Sequence, residues 1–449
     1  METCETVLAD KSDQNHADGK LFKLLVAACF LLYTAMMSVK NVFGAELVTF
    51  IDKMHTDKFN ASLATTYYFV SYAAVQVVLA FFMNRLNVRT YLLVTVPVAA
   101  ISGILVAFSA NMTEVWVLFA VQGAFQAGVY AGCMYILSIY LPTEMTSAAN
   151  GLMQAGFAIG NTIAYAVCAL FVALDLWTIP YIFFGALFIL SAVFFGVITA
   201  KAAKRFPDAT KRRKDLKENQ KDTREHDSEL SFNKGLFTLK NSKQRFWFYF
   251  WSVVYSLLAT TLYYAINNWV GNFLKEVFGF PDSISIVLSI VVPIMTFFGP
   301  TIAIAVSKKH KNYIKTAFLV SFIPLIASVA MIFIYDFNVV TSIIFISVFI
   351  VSTRTLTGFQ SVATFDMRTE INVGSYTAII NAAASVSAGV APTVIGKLID
   401  AANANSANGY GGWLVQFENA AAISIVLLAF LAIAFFATRK KNNLNNEKL

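Results

Sequence analysis

The hydrophobic and polar positions of this chain form long blocks instead of the short alternation that is typical of a soluble fold. Apolar runs of 20 to 30 residues are separated by polar segments. At 1.5 Å per residue, about 20 helical residues cross the hydrocarbon core of a bilayer, so each run can form one transmembrane helix. The runs occupy residues 21–50, 62–83, 90–109, 114–141, 146–174, 177–200, 246–274, 283–306, 314–335, 339–367, 375–401 and 413–438. We therefore predict an all-α polytopic membrane protein with twelve transmembrane helices.

The polar segments divide the predicted helices into two groups of six. The segment between the groups is rich in charged residues and contains too little apolar sequence to fold alone. The first apolar run is too long for the core of a cleavable signal peptide, so we expect it to remain as an anchor. The predicted organisation is a cytoplasmic tail (1–20), an N-terminal six-helix bundle (21–200), a cytoplasmic linker (201–245), a C-terminal six-helix bundle (246–438) and a cytoplasmic tail (439–449).

Composition and charge support this topology. The chain is 57% hydrophobic and 13% charged, whereas about 25% of the residues of a soluble domain are charged. Only Lys53, Lys58, Lys275 and Lys397 are basic residues predicted on the side opposite the termini. The positive-inside rule then predicts that both termini are cytoplasmic, in the plasma (inner) membrane. The net charge of +8 reflects this topology, and we expect no nucleic-acid partner.

An internal repeat relates the two groups of helices at a constant offset of 226 residues. Asn41 falls on Asn267, and other pairs with the same offset lie in two further places: Arg85 with Lys311, Arg89 with Lys315, Thr90 with Thr316, Thr143 with Thr369 and Glu144 with Glu370. Duplicated helix bundles are typical of transporters that rock two halves about a central site. The repeat therefore favours a pseudo-symmetric transporter.

Two basic residues lie near the middle of predicted helices. Lys40 is in the first and Arg354 is in the tenth. A cation at this depth costs about 3 kcal/mol or more unless something compensates it. Each cation could be compensated by backbone carbonyls or by a polar network, and Arg354 could instead pair with the carboxylate of Asp366. We instead expect the two cations to face one cavity, where an anionic solute would bridge them.

The distribution of titratable residues constrains the coupling of transport. All four histidines fall in predicted tails or loops, and the acids of the predicted helices cluster at helix ends. A proton relay normally needs such a group inside the membrane, so exchange or facilitated movement is favoured over proton symport. Glu46, about one and a half turns beyond Lys40, is the coupling candidate; the alternative is a helix-end acid that faces water. The four cysteines have no metal-ligand spacing, and we predict neither a metal nor another cofactor.

Residues 84–89, AsnArgLeuAsnValArg, resemble the Asp-Arg-x-Gly-Arg-Arg loop of the major facilitator superfamily, and the chain resembles this superfamily over essentially its whole length. The resemblance implies the major facilitator fold, with two six-helix pseudo-symmetric bundles. It also implies that the basic residues of this loop latch one conformation, together with their repeat partners. These residues are Arg85, Arg89, Lys311 and Lys315. The alternative is that they only set the topology.

Within the superfamily, the chain resembles the organophosphate:phosphate antiporter branch. Lys40 and Asn41 look like its Arg-Lys-Asn signature, and residues 125–130 and 268–277 resemble two further motifs. The resemblance implies that Lys40, Tyr72 and Tyr130 contact the substrate. The chain departs from the branch at five positions. Val39 and Tyr263 stand where the branch has its two clamping arginines, and Gln76 stands where it has a basic residue. Phe157 replaces a histidine, and Arg354 replaces a tyrosine.

Further polar and aromatic residues complete the predicted substrate site: Tyr33, Gln76, Gln126, Tyr264, Asn268 and Asn381. We predict a monomeric, non-enzymatic transporter in the lipid bilayer that carries a small organic anion, a carboxylate or an organophosphate, by alternating access. A transporter of a neutral solute such as a sugar is the alternative, as is a membrane sensor on the same scaffold. Efflux of lipophilic cations is disfavoured because such a pump would need a buried carboxylate between its helices.

Overall fold

The structure, a computed structural model, describes residues 2–82, 86–207, 242–310, 313–366, 373–406 and 411–446. Over these residues the chain forms helices and no β-strand. The helices before the linker are α1 (Glu2–Ala45), α2 (Leu47–Lys53), α3 (Lys58–Phe82), α4 (Val88–Leu105), α5 (Met112–Gln126), α6 (Val129–Tyr140), α7 (Thr143–Ala173) and α8 (Ile179–Arg205). Those after it are α9 (Ser242–Asn267), α10 (Val270–Phe278), α11 (Asp282–Ser289), α12 (Val291–Lys309), α13 (Tyr313–Val320), α14 (Phe322–Ile334), α15 (Val339–Asp366), α16 (Val373–Asn405) and α17 (Gly412–Asn446).

Twelve helical stretches of the described chain are long and apolar enough to cross a membrane, which confirms the predicted fold class. Four of them contain two helices each: α5 with α6, α9 with α10, α11 with α12, and α13 with α14. Pro293 and Pro324 each follow such an interruption by three residues. Proline has no N–H to bond the carbonyl four residues earlier, so the helical ladder is weakened at these places.

The helices extend beyond several predicted boundaries. Helix α1 already begins at Glu2, inside the predicted polar tail, and α17 continues to Asn446. Helices α8 and α9 reach a few residues into the predicted linker, most of which, residues 208–241, lies outside the described part of the chain. A polar sequence can continue a helix that an apolar span has nucleated, because adding a residue to an existing helix costs far less than starting one.

Small residues allow close contact within the first half of the chain. The hydroxyl of Ser38 on α1 donates a hydrogen bond of 3.0 Å to the carbonyl of Gly160 on α7. A Cβ atom on Gly160 would lie 2.9 Å from the Cβ of Met37, so only glycine permits this approach. Such contacts replace the hydrophobic effect as a source of helix association inside a bilayer. They hold α1, which carries Lys40, firmly against its own bundle.

The two halves are joined by polar contacts at one end of the bundle. An even number of spans places both termini at the same end, called here the terminal end; the other is the distal end. At the distal end the ammonium group of Lys58 lies 2.7 Å from a carboxylate oxygen of Glu276 and 3.6 Å from one of Asp400. Asp400 also accepts a 3.1 Å hydrogen bond from the backbone N–H of Phe59. Lys275 pairs with Asp52 across the same interface.

A second layer of contacts lies below these ion pairs. The hydroxyl of Thr66 on α3 donates to the carbonyl of Gly389 on α16 at 2.8 Å and lies 2.7 Å from the hydroxyl of Thr393. Lys58 is only 8% exposed, so its ion pairs are largely shielded from water. The distal end is therefore closed by a charged outer layer over a hydroxyl-lined helix contact.

We predict that Lys58→Gln opens the distal end more often. The variant removes the ion pairs that join the halves and leaves Glu276 and Asp400, both in the second half, partly buried without their cation. Opening hydrates these carboxylates, which favours separation of the halves by about 1–3 kcal/mol, or roughly tenfold in population. The measurement is the rate at which a cysteine at position 66 reacts with a membrane-impermeant maleimide in the full-length protein. Lys53→Gln is the matched control, because Lys53 pairs with Asp175 of its own half at 2.7 Å. Equal labelling rates in both variants would contradict the role of Lys58.

Candidate substrate-binding site

A cavity of about 50 Å³ lies between the two halves near the middle of the predicted spans. Helices α1, α3, α7 and α9 supply most of its lining. Its polar lining residues are Lys40, Asn41, Thr65, Asn161, Asn267 and Asn268, and its aromatic walls are Phe43, Tyr68, Phe69, Phe119, Phe157, Tyr165, Tyr263 and Tyr264. Small-molecule sites usually occupy about 300–1,000 Å³, so the cavity in this conformation is smaller than a typical metabolite site.

Lys40 presents its ammonium group to this cavity. The nitrogen lies 4.4 Å from the centre of the Phe69 ring and 5.6 Å from that of the Tyr68 ring. Cation–π contacts of this kind stabilise a partly desolvated ammonium group by about 0.5–2 kcal/mol. No ion pair of Lys40 is found among the described residues. The rings therefore compensate only part of its desolvation.

Arg354 reaches the same region from the second half. The central carbon of its guanidinium lies 5.0 Å from the Tyr263 ring and 5.7 Å from the Phe157 ring, and both rings line the cavity. Its buried Nε has no hydrogen-bond partner in the described structure, and no ion pair with a described carboxylate is found either. The side chain of Asp366, its predicted alternative partner, lies outside the described part.

A glycine on α12 sets the position of Arg354. A Cβ atom on Gly299 would lie 2.7 Å from the backbone carbon of Arg354 and 2.8 Å from the backbone nitrogen of Thr355. Real Cβ atoms do not approach backbone so closely, so α15 can pack at this distance only against glycine. The close approach fixes the backbone from which the arginine side chain extends toward the cavity.

A row of aromatic rings connects the two cations. Phe69 lies 5.8 Å from Tyr264, and Tyr264 lies 4.9 Å from Tyr263, measured between ring centres. Lys40 contacts the first ring of this row and Arg354 the last. The positive charge of Arg354 also acts unfavourably on that of Lys40. Lys40 thus lines the cavity, whereas Arg354 is not part of the lining and lies against two of the rings that are, those of Phe157 and Tyr263.

Amide side chains form a second feature of the cavity, and of these the sequence analysis placed only Asn268 in the site. Asn41 donates a hydrogen bond to the side-chain oxygen of Asn161, and Asn267 donates one of 2.8 Å to that of Asn268. The Tyr263 hydroxyl donates to the Asn267 oxygen at 2.8 Å. Asn41 and Asn267 are partners in the 226-residue repeat. Two features of the sequence could have pointed to Asn41 and Asn267 as site residues: their pairing in the repeat and the position of Asn41 next to Lys40.

The predicted tyrosines of the first half form a cluster near Arg354. The rings of Tyr33 and Tyr130 lie 5.1 Å apart, and Gln76 donates a 3.4 Å hydrogen bond to the Tyr72 hydroxyl. The phenol of Tyr33 lies near Tyr72, Tyr130 and Arg354. The structure thus brings together four of the predicted site residues with one of the two cations.

The remaining predicted residues are placed differently. Tyr264 and Asn268 line the cavity, whereas Gln126 is fully buried and accepts a 2.7 Å hydrogen bond from Tyr68. Asn381 is an exposed residue of α16 that does not line the cavity. Glu46 is fully buried and is also absent from the cavity lining.

Two of the four predicted latch residues, Arg85 and Lys311, lie outside the described residues. Arg89 lines a shallow groove between α4 and α8 together with Lys201 and Lys204, and Lys315 is exposed. The described part of the chain contains no group of three or more His, Cys, Asp or Glu side chains that could hold a metal ion.

We predict opposite effects of alanine at two helical glycines. Gly299→Ala should lower the free energy of unfolding by about 1–3 kcal/mol, because the added methyl group collides with the backbone that carries Arg354. Gly151→Ala is the matched control: a Cβ there meets nothing within 4 Å, and alanine favours a helix over glycine by about 1 kcal/mol. Thermal unfolding of the purified protein, followed by the loss of its monodisperse fraction, measures both. A Gly299→Ala protein as stable as Gly151→Ala would contradict the packing described here.

Comparisons with known proteins agree with this fold. The family model of the Major Facilitator Superfamily matches residues 26–392. No curated protein matches the chain. A bacterial homolog of the human lysosomal transporter Spinster, in an inward-facing and unoccupied conformation, superimposes with a TM-score of 0.66 at 13% identity, covering 93% of this chain and 97% of the other. The nucleoside transporter NupG superimposes with a TM-score of 0.66 at 14% identity, covering 92% and 99%. The match over most of its length shows that the chain belongs to the major facilitator superfamily.

Proposed function

We propose that this transporter carries a small organic anion, which binds between Lys40 and Arg354 while the two halves alternate access to it. One observation supports the proposal most: each half contributes one cation to the region of a single cavity, and neither cation has an ion-pair partner among the described residues. A bound anion would supply the missing negative charge. At an effective dielectric constant of about 20, each charge pair at about 4 Å contributes roughly 4 kcal/mol before desolvation is subtracted.

Compared with the organophosphate:phosphate antiporter branch that this chain resembles, the positive charge of the second half comes from a different helix. Tyr263 and Phe157 stand where that branch has an arginine and a histidine, and the guanidinium of Arg354 lies over both of these rings. The arginine on α15 can therefore serve the same part of the cavity from another helix. Its planar fork suits a carboxylate or a phosphate, whereas Lys40 adds a point charge. We propose a carboxylate or an organophosphate as the substrate on this basis.

Exchange is the proposed mode of transport. No acidic residue lines the cavity within the described chain, and an empty carrier would keep two repelling cations during its return. A bound anion lowers that cost, so loaded forms interconvert faster than the empty form. With the positive-inside rule, the terminal end is cytoplasmic and the closed distal end faces outward.

A neutral polyhydroxylated solute is the second candidate. The two amide pairs, Asn41 with Asn161 and Asn267 with Asn268, offer donors and acceptors beside aromatic walls. Such surfaces bind sugars or nucleosides without needing a charge, and one structural neighbour is a nucleoside transporter. The two candidates differ in whether the cations are required.

We predict that Lys40→Gln and Arg354→Gln each reduce anion counterflow in proteoliposomes about 100-fold, because each leaves one cation to bind the anion alone. The panel contains gluconate, a hexose phosphate, glucose, uridine and a lipophilic cation. Lys397→Gln is the control, since Lys397 is a distal lysine stacked on Phe59 at 5.4 Å and outside the cavity. Neutral solutes that are transported equally by wild type and both variants would favour the second candidate and exclude the first.

The shape of the arginine provides a separate prediction. Arg354→Lys keeps the charge but removes the bidentate fork, so we expect counterflow of the anion to fall about tenfold, between wild type and Arg354→Gln. The measurement is the concentration of anion that gives half-maximal counterflow. An Arg354→Lys variant indistinguishable from Arg354→Gln would indicate that geometry, and not charge, is the main contribution of this residue.

A further inference from the structure

Glu46 lies in a part of the bundle where an ionised carboxylate has no partner. It joins α1 to α2 with φ −92° and ψ 10°, at a bend where backbone hydrogen bonds continue on both sides. Its relative exposure is 0%. Neither of its carboxylate oxygens has an N–H or O–H hydrogen-bond partner in the described structure. The sequence suggested a coupling residue or a helix-end acid facing water, and the structure shows that Glu46 does not face water.

The groups that face Glu46 do not supply a positive charge. From α7 comes the thiol of Cys168, a weak donor that is shared between the Glu46 carboxyl group and the carbonyl of Val42, which lies 4.0 Å away. From α8 comes the phenol of Tyr181. The Tyr181 hydroxyl is itself buried without a partner. On α2 the hydroxyl of Thr49 is also buried without one.

The charged groups nearest in sequence are engaged elsewhere. Asp52 pairs with Lys275, and Lys53 pairs with Asp175. Lys40 stacks on Phe69 in the cavity and forms no ion pair with Glu46. A carboxylate that has no cation and only a weak thiol donor beside it is strongly disfavoured in a dry helix bundle, whereas the neutral acid is tolerated.

We propose that Glu46 is a proton-binding site, which is occupied while the distal end is closed and whose occupancy is linked to the opening of that end. This inference rests on the alternating access of the proposed function but not on the identity of its substrate.

The position of Glu46 connects it to both the cavity and the distal closure. Phe43 and Gly44, one turn before it, line the cavity. Helix α2 follows Glu46 and carries Asp52, which pairs with Lys275. Val48 of the same helix lies against Gly271 of α10, since a Cβ atom on Gly271 would be 3.9 Å from the Val48 side chain. Opening of the distal end must separate α2 from α10. This removes the support of the segment that seals Glu46 and admits water to its carboxyl group.

The direction of the pH dependence follows from linkage. The closed form holds the proton, and the open form hydrates the carboxyl group and lets it ionise. The conformation that binds the proton more tightly gains population as the proton concentration rises. Low pH therefore favours the closed distal end and high pH favours the open one. Anion exchange slows at low pH because fewer carriers open outward.

The test is a distance measurement that needs no substrate. Spin labels are placed at Thr113→Cys and Asp336→Cys, two exposed residues at the distal ends of the two halves, in full-length protein with Cys4→Ser in nanodiscs. Double electron–electron resonance then reports the open fraction from about pH 9 to about pH 5. We expect this fraction to fall about threefold or more in the wild type as the pH is lowered, which corresponds to a modest bias of a two-state equilibrium.

Variants distinguish Glu46 from other titrating groups. Glu46→Gln mimics the neutral acid, so we expect a low open fraction that no longer changes with pH, whereas Glu46→Asp should retain a pH dependence. Glu418→Gln, which neutralises an exposed acid of α17, should behave as the wild type. A wild type without pH dependence would overturn the proposal, as would Glu46→Gln with the pH dependence of the wild type. Failure of anion transport together with an intact pH response would instead overturn only the proposed substrate.

Discussion

The structure depends above all on the placement of positive charge where the bilayer offers no compensation. Lys40 and Arg354 each stand near the centre of a predicted span, and each is only partly compensated by aromatic rings. Cations at such depth are costly, so their neighbourhood must be organised around them. The aromatic row from Phe69 to Tyr263 and the two amide pairs surround this charge with polarisable and polar groups while leaving it without a protein carboxylate in the described chain.

The packing of small residues makes this arrangement geometrically possible. Gly160 lets α7 approach the helix that carries Lys40, and Gly299 lets α15 approach closely enough to place Arg354 beside Phe157 and Tyr263. Both glycines act through the absence of a side chain. Close packing within each half keeps its cation fixed to that half, so relative movement of the halves changes the distance between the two charges. A ligand that bridges them is thereby coupled to the conformation.

The distal end uses charge in the opposite way. There Lys58 and Lys275 are paired with carboxylates of the other half. These ion pairs hold the two halves together, whereas Lys40 and Arg354 have no ion-pair partner among the described residues. Acids are thus present at the closure, whereas none of the described residues that line the cavity is acidic. Glu46 is the exception: it is buried between the cavity and the closure, with no cation beside it, and it can respond to protons as the closure forms and breaks.

The sequence alone determined the fold class and the location of the unusual charges. Block hydrophobicity predicted twelve helices because the length of an apolar run is a direct consequence of bilayer thickness, and the structure confirms them. The two midplane cations were visible because a charge inside an apolar run needs no tertiary information to be recognised. The helix interruptions after Ser289 and Val320 were harder to predict from the sequence. Each lies just before a proline, and a proline inside a span sometimes bends a helix and sometimes only weakens it.

The tertiary structure decided which side chains meet. Asn41 and Asn267 were visible as one pair of the repeat, but only the packing of α1 on α7 and the turn after α9 revealed their amide partners. Asn381 and Glu46 were both predicted from polarity and position, yet one is exposed on α16 and the other is sealed inside the first bundle. Helical periodicity gives the direction of a side chain on its own helix. It does not give the rotation of that helix against its neighbours, which is set by close contacts such as those at Gly160 and Gly299.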